Sequence, residues 1–230
     1  MSTRQQKPGL FLKWYTIVRL FIVFSLWFLI MHTYTLHTFN LPELTGLSEK
    51  QVKAHLGLYE GYVKHVNILR EQIAELTALD KEKYAYAIME TRRRLGFEFN
   101  GMRMHEYYFT QLEGGAETLE LESPLAKAAS EKYGSVENFI THFTQVGMSR
   151  GIGWTILYAD PLHNTVHTAW VSDHEQGQLG GLPVILAMDM WEHAYMVDYL
   201  PAEKKQYIEA FLKNLHWPTI ERRYTATLAQ

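Results

Sequence analysis

The stretch Asp189-Met190-Trp191-Glu192-His193-Ala194-Tyr195 follows directly on an apolar run at residues 182–188, which is opened by Gly180-Gly181. The run is rich in residues that favour strands, so we expect Asp189 to lie where a buried strand ends. A carboxylate in an apolar setting needs a partner. Asp189 and His193 lie four residues apart and together offer a metal ion one oxygen and one imidazole nitrogen. Taken alone, a helix N-terminus capped by Asp189 is the simpler interpretation of this spacing.

The composition of the 230-residue chain narrows the kinds of site that it can hold. Hydrophobic residues make up 47% of it, enough for one compact domain or two small packed ones. The chain has no cysteine, which excludes disulfides, thiolate catalysis and iron–sulfur clusters, so any metal must be held by His, Asp or Glu. The formal net charge of -3 argues against a nucleic-acid partner, because phosphate binding favours a basic surplus.

Residues 1–36 differ from the rest of the chain and form a hydrophobic N-terminal extension. Residues 20–31 are an apolar run preceded by basic residues, and the uncharged stretch continues to Leu36. A membrane span needs about twenty residues, so the extension is a marginal anchor, with its start in the cytoplasm and the folded domain outside it. No small-residue cleavage site follows, which disfavours a signal peptide. An equally weighted alternative is that the protein starts at Met31 and is cytoplasmic.

We predict an α+β fold, with a helical hairpin domain at residues 37–115 and a C-terminal α+β domain at residues 116–230. Ser48 and Gln51 form a capping-box pattern that opens a helix from about 48 to 78, and a second helix is expected from about 81 to 112. Short connections make consecutive helices antiparallel, so this part is predicted to be a hairpin. Gly114-Gly115 then interrupts the pattern.

The second half alternates helix and strand patterns. We expect helices at 124–130 and 135–146, the second capped by Ser135, and a closing helix at 203–215. Strands are predicted at 154–160 and 165–171 around a turn, and a third strand ends at Asp189. Helices combined with a small three-stranded antiparallel sheet are typical of α+β folds.

His55 lies on the first predicted helix and His105 on the second. For each of them alone, a hydrogen-bonded core histidine is the simpler interpretation. An antiparallel hairpin can bring the two face to face, and with Asp189 and His193 they would form a site of three nitrogens and one oxygen. Such a set suits iron or manganese better than structural zinc. We predict surface or structural roles for the other unassigned histidines, which are His32, His37, His65, His142, His163, His167 and His216.

Several motifs resemble the iron/manganese superoxide dismutase family. The stretch from Asp189 to Tyr195 is similar to its D-x-W-E-H-A-Y signature, and Gly153-Trp154 resembles its Gly-Trp before the first strand. Residues 99–109 resemble the segment of the second helix that carries a ligand histidine. The motifs occur in the family order from about Thr35 to Arg222, and residues 31–39 resemble the usual start of such enzymes.

The resemblance implies that one Fe or Mn ion per subunit is bound by His55, His105, Asp189 and His193. It implies an enzyme that converts superoxide into dioxygen and hydrogen peroxide. The residues implied to line its pocket are Trp154, Trp191 and Tyr195. Glu192 would reach His193 of the partner subunit, which implies a homodimer, or a tetramer built from such dimers.

The entrance to this site departs from the family pattern. The gateway tyrosine usually follows the ligand histidine by eight residues, whereas Tyr62 follows His55 by seven. The histidine usually found between them is replaced near Tyr59, and the tyrosine that usually follows the one at Tyr195 is replaced by Met196. We assign Tyr62 the gateway role and expect an entrance that is built differently.

A second departure concerns the polar group that tunes the metal. Gly101 stands where iron-type members place a glutamine. His174, fifteen residues before Asp189, stands where archaeal-type members place a histidine, and we assign His174 a catalytic role. The sequence does not distinguish Fe from Mn.

Two other functions are compatible with the same residues. A peroxidase-like enzyme would need the altered entrance to admit a larger donor. A structural or binding protein on this fold would be expected to lose metal ligands. In each case the substrate or partner is not a nucleic acid, and membrane contact is expected only through the N-terminal extension.

Overall fold

A computed structural model describes residues 32–228, which form six α-helices and a three-stranded sheet. The fold is α+β, as predicted, with a helical hairpin first and a mixed helical and sheet region after it. None of the helices described between residues 32 and 228 combines the length and the hydrophobicity that a membrane span requires. Residues 1–31 of the predicted N-terminal extension lie outside the described residues.

The hairpin consists of α1 (Glu49–Asp80) and α2 (Ala85–Thr110). Ser48 caps α1 as predicted, because its Oγ accepts the Gln51 N–H at 3.1 Å. The second helix starts four residues later than predicted, since Oδ1 of Asp80 accepts the N–H groups of Glu82 and Lys83 and holds residues 81–84 in a turn.

The predicted capping box is wrong for Gln51. Its side chain does not return to the cap but reaches the second half of the molecule, where Nε2 donates to the His193 carbonyl at 2.7 Å and Oε1 accepts the Val197 N–H at 2.9 Å. Gln51 is buried. A buried amide with both ends bonded ties α1 to the segment after the sheet.

The helices that precede the sheet are α3 (Pro124–Tyr133) and α4 (Val136–Gly147), and Ser135 caps α4 as predicted. The sheet contains β1 (Gly153–Asp160), β2 (Thr165–Ser172) and β3 (Val184–Asp189) in the order β2-β1-β3, with both pairs antiparallel. All three predicted strands are confirmed. The central strand β1 is buried except at its last residue. Because β1 pairs with both β2 and β3, its register determines where the ends of those two strands lie.

The outer edge of β3 is covered by side chains. Gln111, which follows α2, accepts the Ala187 N–H at 3.2 Å and donates to the Ala187 carbonyl. Arg223 donates to the Ile185 carbonyl at 2.9 Å and to Gln111 Oε1 at 3.3 Å. These groups occupy the hydrogen-bonding positions that an additional strand would use.

Two helices close the chain, whereas one was predicted. The predicted closing helix is α5 (Lys204–Lys213), and α6 (Trp217–Leu228) follows it. Ile220 and Tyr224 lie four residues apart on α6 and are both buried. The sequence prediction therefore missed a helix that packs into the core.

The segment before α1, residues 32–47, runs along the hairpin and is held by side chains. Asn67 accepts the Tyr34 N–H at 3.0 Å and donates to the Tyr34 carbonyl at 2.8 Å. The Tyr59 hydroxyl accepts the His37 N–H at 3.0 Å and lies 3.2 Å from a Glu106 oxygen. The Tyr59 hydroxyl is thus hydrogen-bonded within the chain.

Candidate metal centre

Four side chains from both halves of the fold converge on one point. His55 comes from α1, His105 from α2, Asp189 from the end of β3 and His193 from the 3₁₀ turn Glu192–Ala194. One potential ligand atom from each lies within 4.8 Å of the others. Nε2 of His55 and Nε2 of His193 lie 2.9 and 3.1 Å from Asp189 Oδ2, and His105 Nε2 lies 3.6 Å from it. The hairpin contributes two of the four side chains, and the end of β3 with the turn after it contributes the other two.

The local structure after β3 explains how Asp189 and His193 come together. Trp154 stands opposite Asp189 in the sheet register, so the carboxylate lies at the end of the strand pair. Asp189 Oδ1 accepts the Trp191 N–H at 2.8 Å, which turns the chain, while Oδ2 faces the imidazoles. Tyr207 donates to the Asp189 carbonyl at 2.6 Å. One carboxylate oxygen therefore stabilises the turn, as a capping residue would, and the other is left for the cluster.

His105 provides a test of whether the cluster suits a metal ion. Its Nδ1 lies 2.6 Å from the Gly101 carbonyl, which can only accept, so Nδ1 carries the proton and Nε2 has a free lone pair. This Nε2 is buried and has no hydrogen-bond partner within residues 32–228. An unsatisfied buried acceptor is costly. A metal ion would satisfy it, and three nitrogens with one carboxylate oxygen are suitable ligands for Fe or Mn.

The electrostatics of the cluster favour the deprotonated forms of Asp189, His55 and His105. Burial opposes ionisation of Asp189, but the imidazoles of His193 and His55 outweigh it and hold the pKa of Asp189 well below its usual range. Burial lowers the pKa of His55. Burial and the neighbouring charge of His55 lower the pKa of His105 further. Metal binding requires neutral imidazoles and an ionised carboxylate, and these shifts favour both.

Aromatic rings surround the cluster. The ring centroid of Trp154 lies 5.3 Å from that of His105, and the ring centroid of Trp191 lies 5.5 Å from that of His193. Tyr195 stacks on Tyr207 at 5.1 Å, so it supports the residue that binds the Asp189 carbonyl. The two tryptophans are therefore in direct contact with the cluster, and Tyr195 lies one residue further away.

Tyr62 and His174 form a pair beside the cluster. The Tyr62 hydroxyl lies 2.7 Å from His174 Nε2, and the Tyr62 ring centroid lies 5.0 Å from that of His105. Burial raises the pKa of Tyr62, and the nearby Asp189 charge adds to the rise. Burial lowers the pKa of His174 to about 4. A Cβ on Gly101 would lie 2.6 Å from the Tyr62 ring, so the missing side chain makes room for Tyr62.

Three residues at the site were not predicted. Gln51 binds the backbone of His193, Phe97 packs edge-on against His174 at 4.6 Å, and Asn100 donates to the His174 carbonyl at 2.8 Å. A signal existed for Gln51, which precedes His55 by four residues and therefore shares its helix face. The contacts of Phe97 and Asn100 depend on the position of the loop that carries His174, and the sequence does not indicate that position.

Three residues close to His193 in sequence, Glu192, Met196 and Val197, are exposed in the single chain. Glu192 is exposed, and the exposed fractions of Met196 and Val197 are 46% and 42%. Elsewhere, His163 and His167 approach Asp160 Oδ2 at 3.0 and 3.4 Å, at the turn between β1 and β2 and away from the cluster.

Comparisons with known proteins agree with this geometry. The family model for iron/manganese superoxide dismutases, C-terminal domain, matches residues 121–223. An iron superoxide dismutase of Cupriavidus metallidurans is 35% identical over 189 residues, which cover 81% of this chain and 92% of the relative. An iron superoxide dismutase of Tetrahymena pyriformis is 33% identical, with 77% and 92% covered. A manganese superoxide dismutase of Haloferax volcanii is 30% identical, with 72% and 80% covered. The chain therefore belongs to the iron/manganese superoxide dismutase family.

Proposed function

We propose that this chain performs the superoxide dismutation of its family with His55, His105, Asp189 and His193 as the ligands of one Fe or Mn ion. The family membership makes the chain an oxidoreductase that acts on superoxide. The observation that carries the ligand assignment is the convergence of three imidazole nitrogens on one buried carboxylate, with the Nε2 of His105 otherwise unsatisfied.

The ion supplies a one-electron redox couple when it is bound, so that one superoxide is oxidised to dioxygen and a second is reduced to hydrogen peroxide. The side chains around the ligand cluster exclude water and supply protons. Trp154 and Trp191 exclude water from the ligand cluster. Tyr62 and His174 hold exchangeable protons beside it, which the reduction of superoxide to hydrogen peroxide consumes.

Replacement of one ligand tests this assignment. We expect His193→Ala to lose both bound metal and superoxide consumption, because only three of the four proposed ligands remain to bind the ion. His193 is the most exposed of the four, with 20% of its side chain accessible, so the variant is expected to fold. His163→Ala, on an exposed turn, is the matched control and should keep both properties. Retention of metal or activity by His193→Ala contradicts the four-ligand assignment.

The metal itself is identified by elemental analysis of protein purified from its native source, followed by activity after reloading with each ion. Availability and redox tuning decide between Fe and Mn, because their intrinsic affinities lie next to each other. If activity returns with just one of the two ions, that ion is the working metal.

We also propose a homodimer in which Glu192 meets His193 of the partner subunit. Glu192 is exposed in the single chain and lies next to two exposed apolar residues, Met196 and Val197. Sedimentation equilibrium should give twice the chain mass of 26.8 kDa, or four times if dimers pair. Glu192→Ala should shift the equilibrium toward the monomer and lower activity, whereas a monomeric, fully active wild type contradicts the proposal.

The N-terminal extension and the division near residue 115 stay predictions. Fractionation of cells with an antibody against the folded domain separates the two alternatives for the extension. Anchoring predicts a full-length chain in the membrane fraction, with the catalytic domain outside the cytoplasm. A start at Met31 predicts a shorter chain in the cytoplasmic fraction.

A further inference from the structure

The turn that carries His193 begins a helical hydrogen-bond pattern and then interrupts it. The Met196 N–H bonds to the Glu192 carbonyl at 2.9 Å, in the N–H(i) to C=O(i−4) pattern of an α-helix. The next bond of that pattern would join the Val197 N–H to the His193 carbonyl. Within residues 32–228, neither of these two groups takes part in a backbone–backbone hydrogen bond. The interruption therefore falls at the carbonyl of a proposed metal ligand.

The side chain of Gln51 takes the place of this missing hydrogen bond. Its Nε2 donates to the His193 carbonyl at 2.7 Å, and its Oε1 accepts the Val197 N–H at 2.9 Å. The amide thus satisfies the acceptor and the donor that would otherwise bond to each other. A side chain inserted in this way opens the helical pattern and bends the chain. Beyond the insertion the pattern resumes, since the Tyr199 N–H bonds to the Tyr195 carbonyl at 2.8 Å.

Helix α1 fixes Gln51 in this position. Gln51 is buried, and its N–H is bound by the Ser48 cap at 3.1 Å. Ser48 also donates to the Asp198 carboxylate from its N–H and from its hydroxyl, at 2.6 Å each, which is a second contact between the start of α1 and this segment. Because Gln51 precedes His55 by four residues, both side chains project from the same face of α1. One helix face therefore supplies the proposed ligand His55 directly and holds the backbone of another, His193.

We propose that Gln51 is a positioning residue for the metal site, because it keeps the turn from closing into an α-helix and thereby holds the His193 imidazole beside Asp189. In that position His193 Nε2 lies 3.1 Å from Asp189 Oδ2. If the Val197 N–H bonded directly to the His193 carbonyl, the His193 backbone would move toward Val197 and carry the ring with it. Gln51 touches neither the ion nor the substrate and acts through the His193 backbone. This inference rests on the proposed function, in which His193 is one of the four ligands.

The first test is the hydrogen bond itself in the wild-type protein. The full chain would be loaded with Zn²⁺, a diamagnetic ion that also takes His and Asp ligands, and exchange of the backbone amides with D₂O would be followed by NMR. Val197 is 42% exposed, so protection of its N–H depends on the Gln51 amide. We expect this N–H to exchange more slowly than in an unstructured chain by at least about tenfold. Exchange at the unstructured rate overturns the proposal without any variant.

The second test removes both hydrogen bonds of the Gln51 side chain. In Gln51→Met the side chain keeps a similar length, but it cannot donate and accepts only weakly, so the two backbone groups are free to bond to each other. The probe is Co²⁺, which takes the same types of nitrogen and oxygen ligand and whose visible absorption spectrum depends on their arrangement. We expect the Co²⁺ affinity, measured by competition with a chelator, to fall by about 10–100-fold, the usual effect of losing a group that orients a ligand. We also expect the spectrum to change. A wild-type affinity or a wild-type spectrum in this variant overturns the proposal.

Asn67→Leu is the matched control, because Asn67 makes the same two kinds of hydrogen bond from the same helix. Its amide accepts the Tyr34 N–H and donates to the Tyr34 carbonyl. It lies sixteen residues after Gln51, which corresponds to about 24 Å along α1. We expect Asn67→Leu to lose stability in denaturant unfolding, as Gln51→Met does, but to keep the wild-type Co²⁺ affinity.

An equal loss of Co²⁺ affinity in both variants would mean that α1 is loosened in general, and it contradicts the proposal. If Gln51→Met does not fold, the exchange rate of the Val197 N–H in the wild type still decides. Failure of the proposed function is distinct, since it would appear as a wild type that binds no Co²⁺ or consumes no superoxide.

Discussion

Gly101 decides where the ring of Tyr62 lies. The sequence shows that the glutamine expected at this position is missing, but it does not show what fills the space. In the structure the Tyr62 ring packs directly on the Gly101 backbone, and its hydroxyl meets His174. A tyrosine one residue earlier than the family pattern can reach the site because no side chain stands in its way.

The first prediction is that Gly101→Ala destabilises the protein by about 1–3 kcal/mol and displaces Tyr62, because the new Cβ overpacks this contact. The added Cβ would lie 2.6 Å from two carbons of the Tyr62 ring, so the ring or the helix must move. Denaturant unfolding measures the change in free energy of unfolding. The matched control is Gly57→Ala on α1, where a Cβ meets no heavy atom of residues 32–228 within 4 Å. A helix-interior alanine should there stabilise by about 0.5–1 kcal/mol, and equal effects at both positions contradict the packing argument.

The second prediction concerns the pH dependence that arises from His174. Burial lowers its pKa from 6.5 to about 4 in the folded chain. Between these values the unfolded chain binds a proton that the folded chain excludes, so stability falls as the pH drops below 6.5 toward 4. The loss from this residue is of the order of a few kcal/mol. Urea titrations of metal-free protein across this range should show a smaller loss of stability for His174→Gln than for wild type, and parallel curves contradict the prediction.

The edge of β3 depends on the side chain of Gln111, which follows α2, and on that of Arg223 in α6. Gln111 continues the hydrogen-bonding pattern of the strand at Ala187, and Arg223 continues it at Ile185. Arg223 also donates to the Tyr107 carbonyl at 3.1 Å, so it connects α2, β3 and α6. The strand that carries Asp189 is therefore held on its open side by polar groups in a fixed arrangement.

The third prediction is that Arg223→Met destabilises the protein by about 2–3 kcal/mol, because it leaves buried carbonyl acceptors without donors. The change is measured by denaturant unfolding. Arg222→Met on the same helix is the control, since Arg222 is exposed and its side chain bonds only locally, to Thr219. That variant should stay within about 0.5 kcal/mol of wild type. Similar losses in both variants would mean that general helix effects, and not edge protection, are responsible.

At the scale of secondary structure, the sequence predicted most of the helices and strands but few of the contacts between them. Caps at Ser48 and Ser135 and the alternation of apolar residues located the helices and all three strands. Helix α6 was missed because its three threonines have low helix propensity, and burial of Ile220 and Tyr224 stabilises it only in the folded protein.

The proposed ligand set was inferred from the sequence on different grounds. Spacing alone gave only a weak indication for Asp189 and His193. The predicted hairpin allowed His55 and His105 to join them, and the resemblance to the family then singled out these four residues. The contact of Gln51 with His193 and that of Trp154 with His174 were not predictable, because each joins segments far apart in sequence. Local sequence patterns do not indicate how the N-terminal hairpin and the C-terminal half of the molecule pack against each other.

At the scale of the whole molecule, the site joins the two halves, so bound metal should stabilise the entire fold. The fourth prediction is that removal of the ion by a chelator lowers the free energy of unfolding by about 3–4 kcal/mol for a metal present at about 100 to 1,000 times its dissociation constant. Differential scanning calorimetry with and without metal measures the difference. His193→Ala should show no such difference, and a wild type whose unfolding is unchanged by metal removal contradicts the prediction.

The division of the four ligands between the two halves also sets the order of events during synthesis. His55 and His105 leave the ribosome first, and Asp189 and His193 follow near the end of the chain. In the proposed site the hairpin supplies two of the four ligands, so the complete site forms only after His193 has been synthesised. The ions present where the finished chain folds are those available to the site, and the compartment of folding thereby contributes to the choice between iron and manganese.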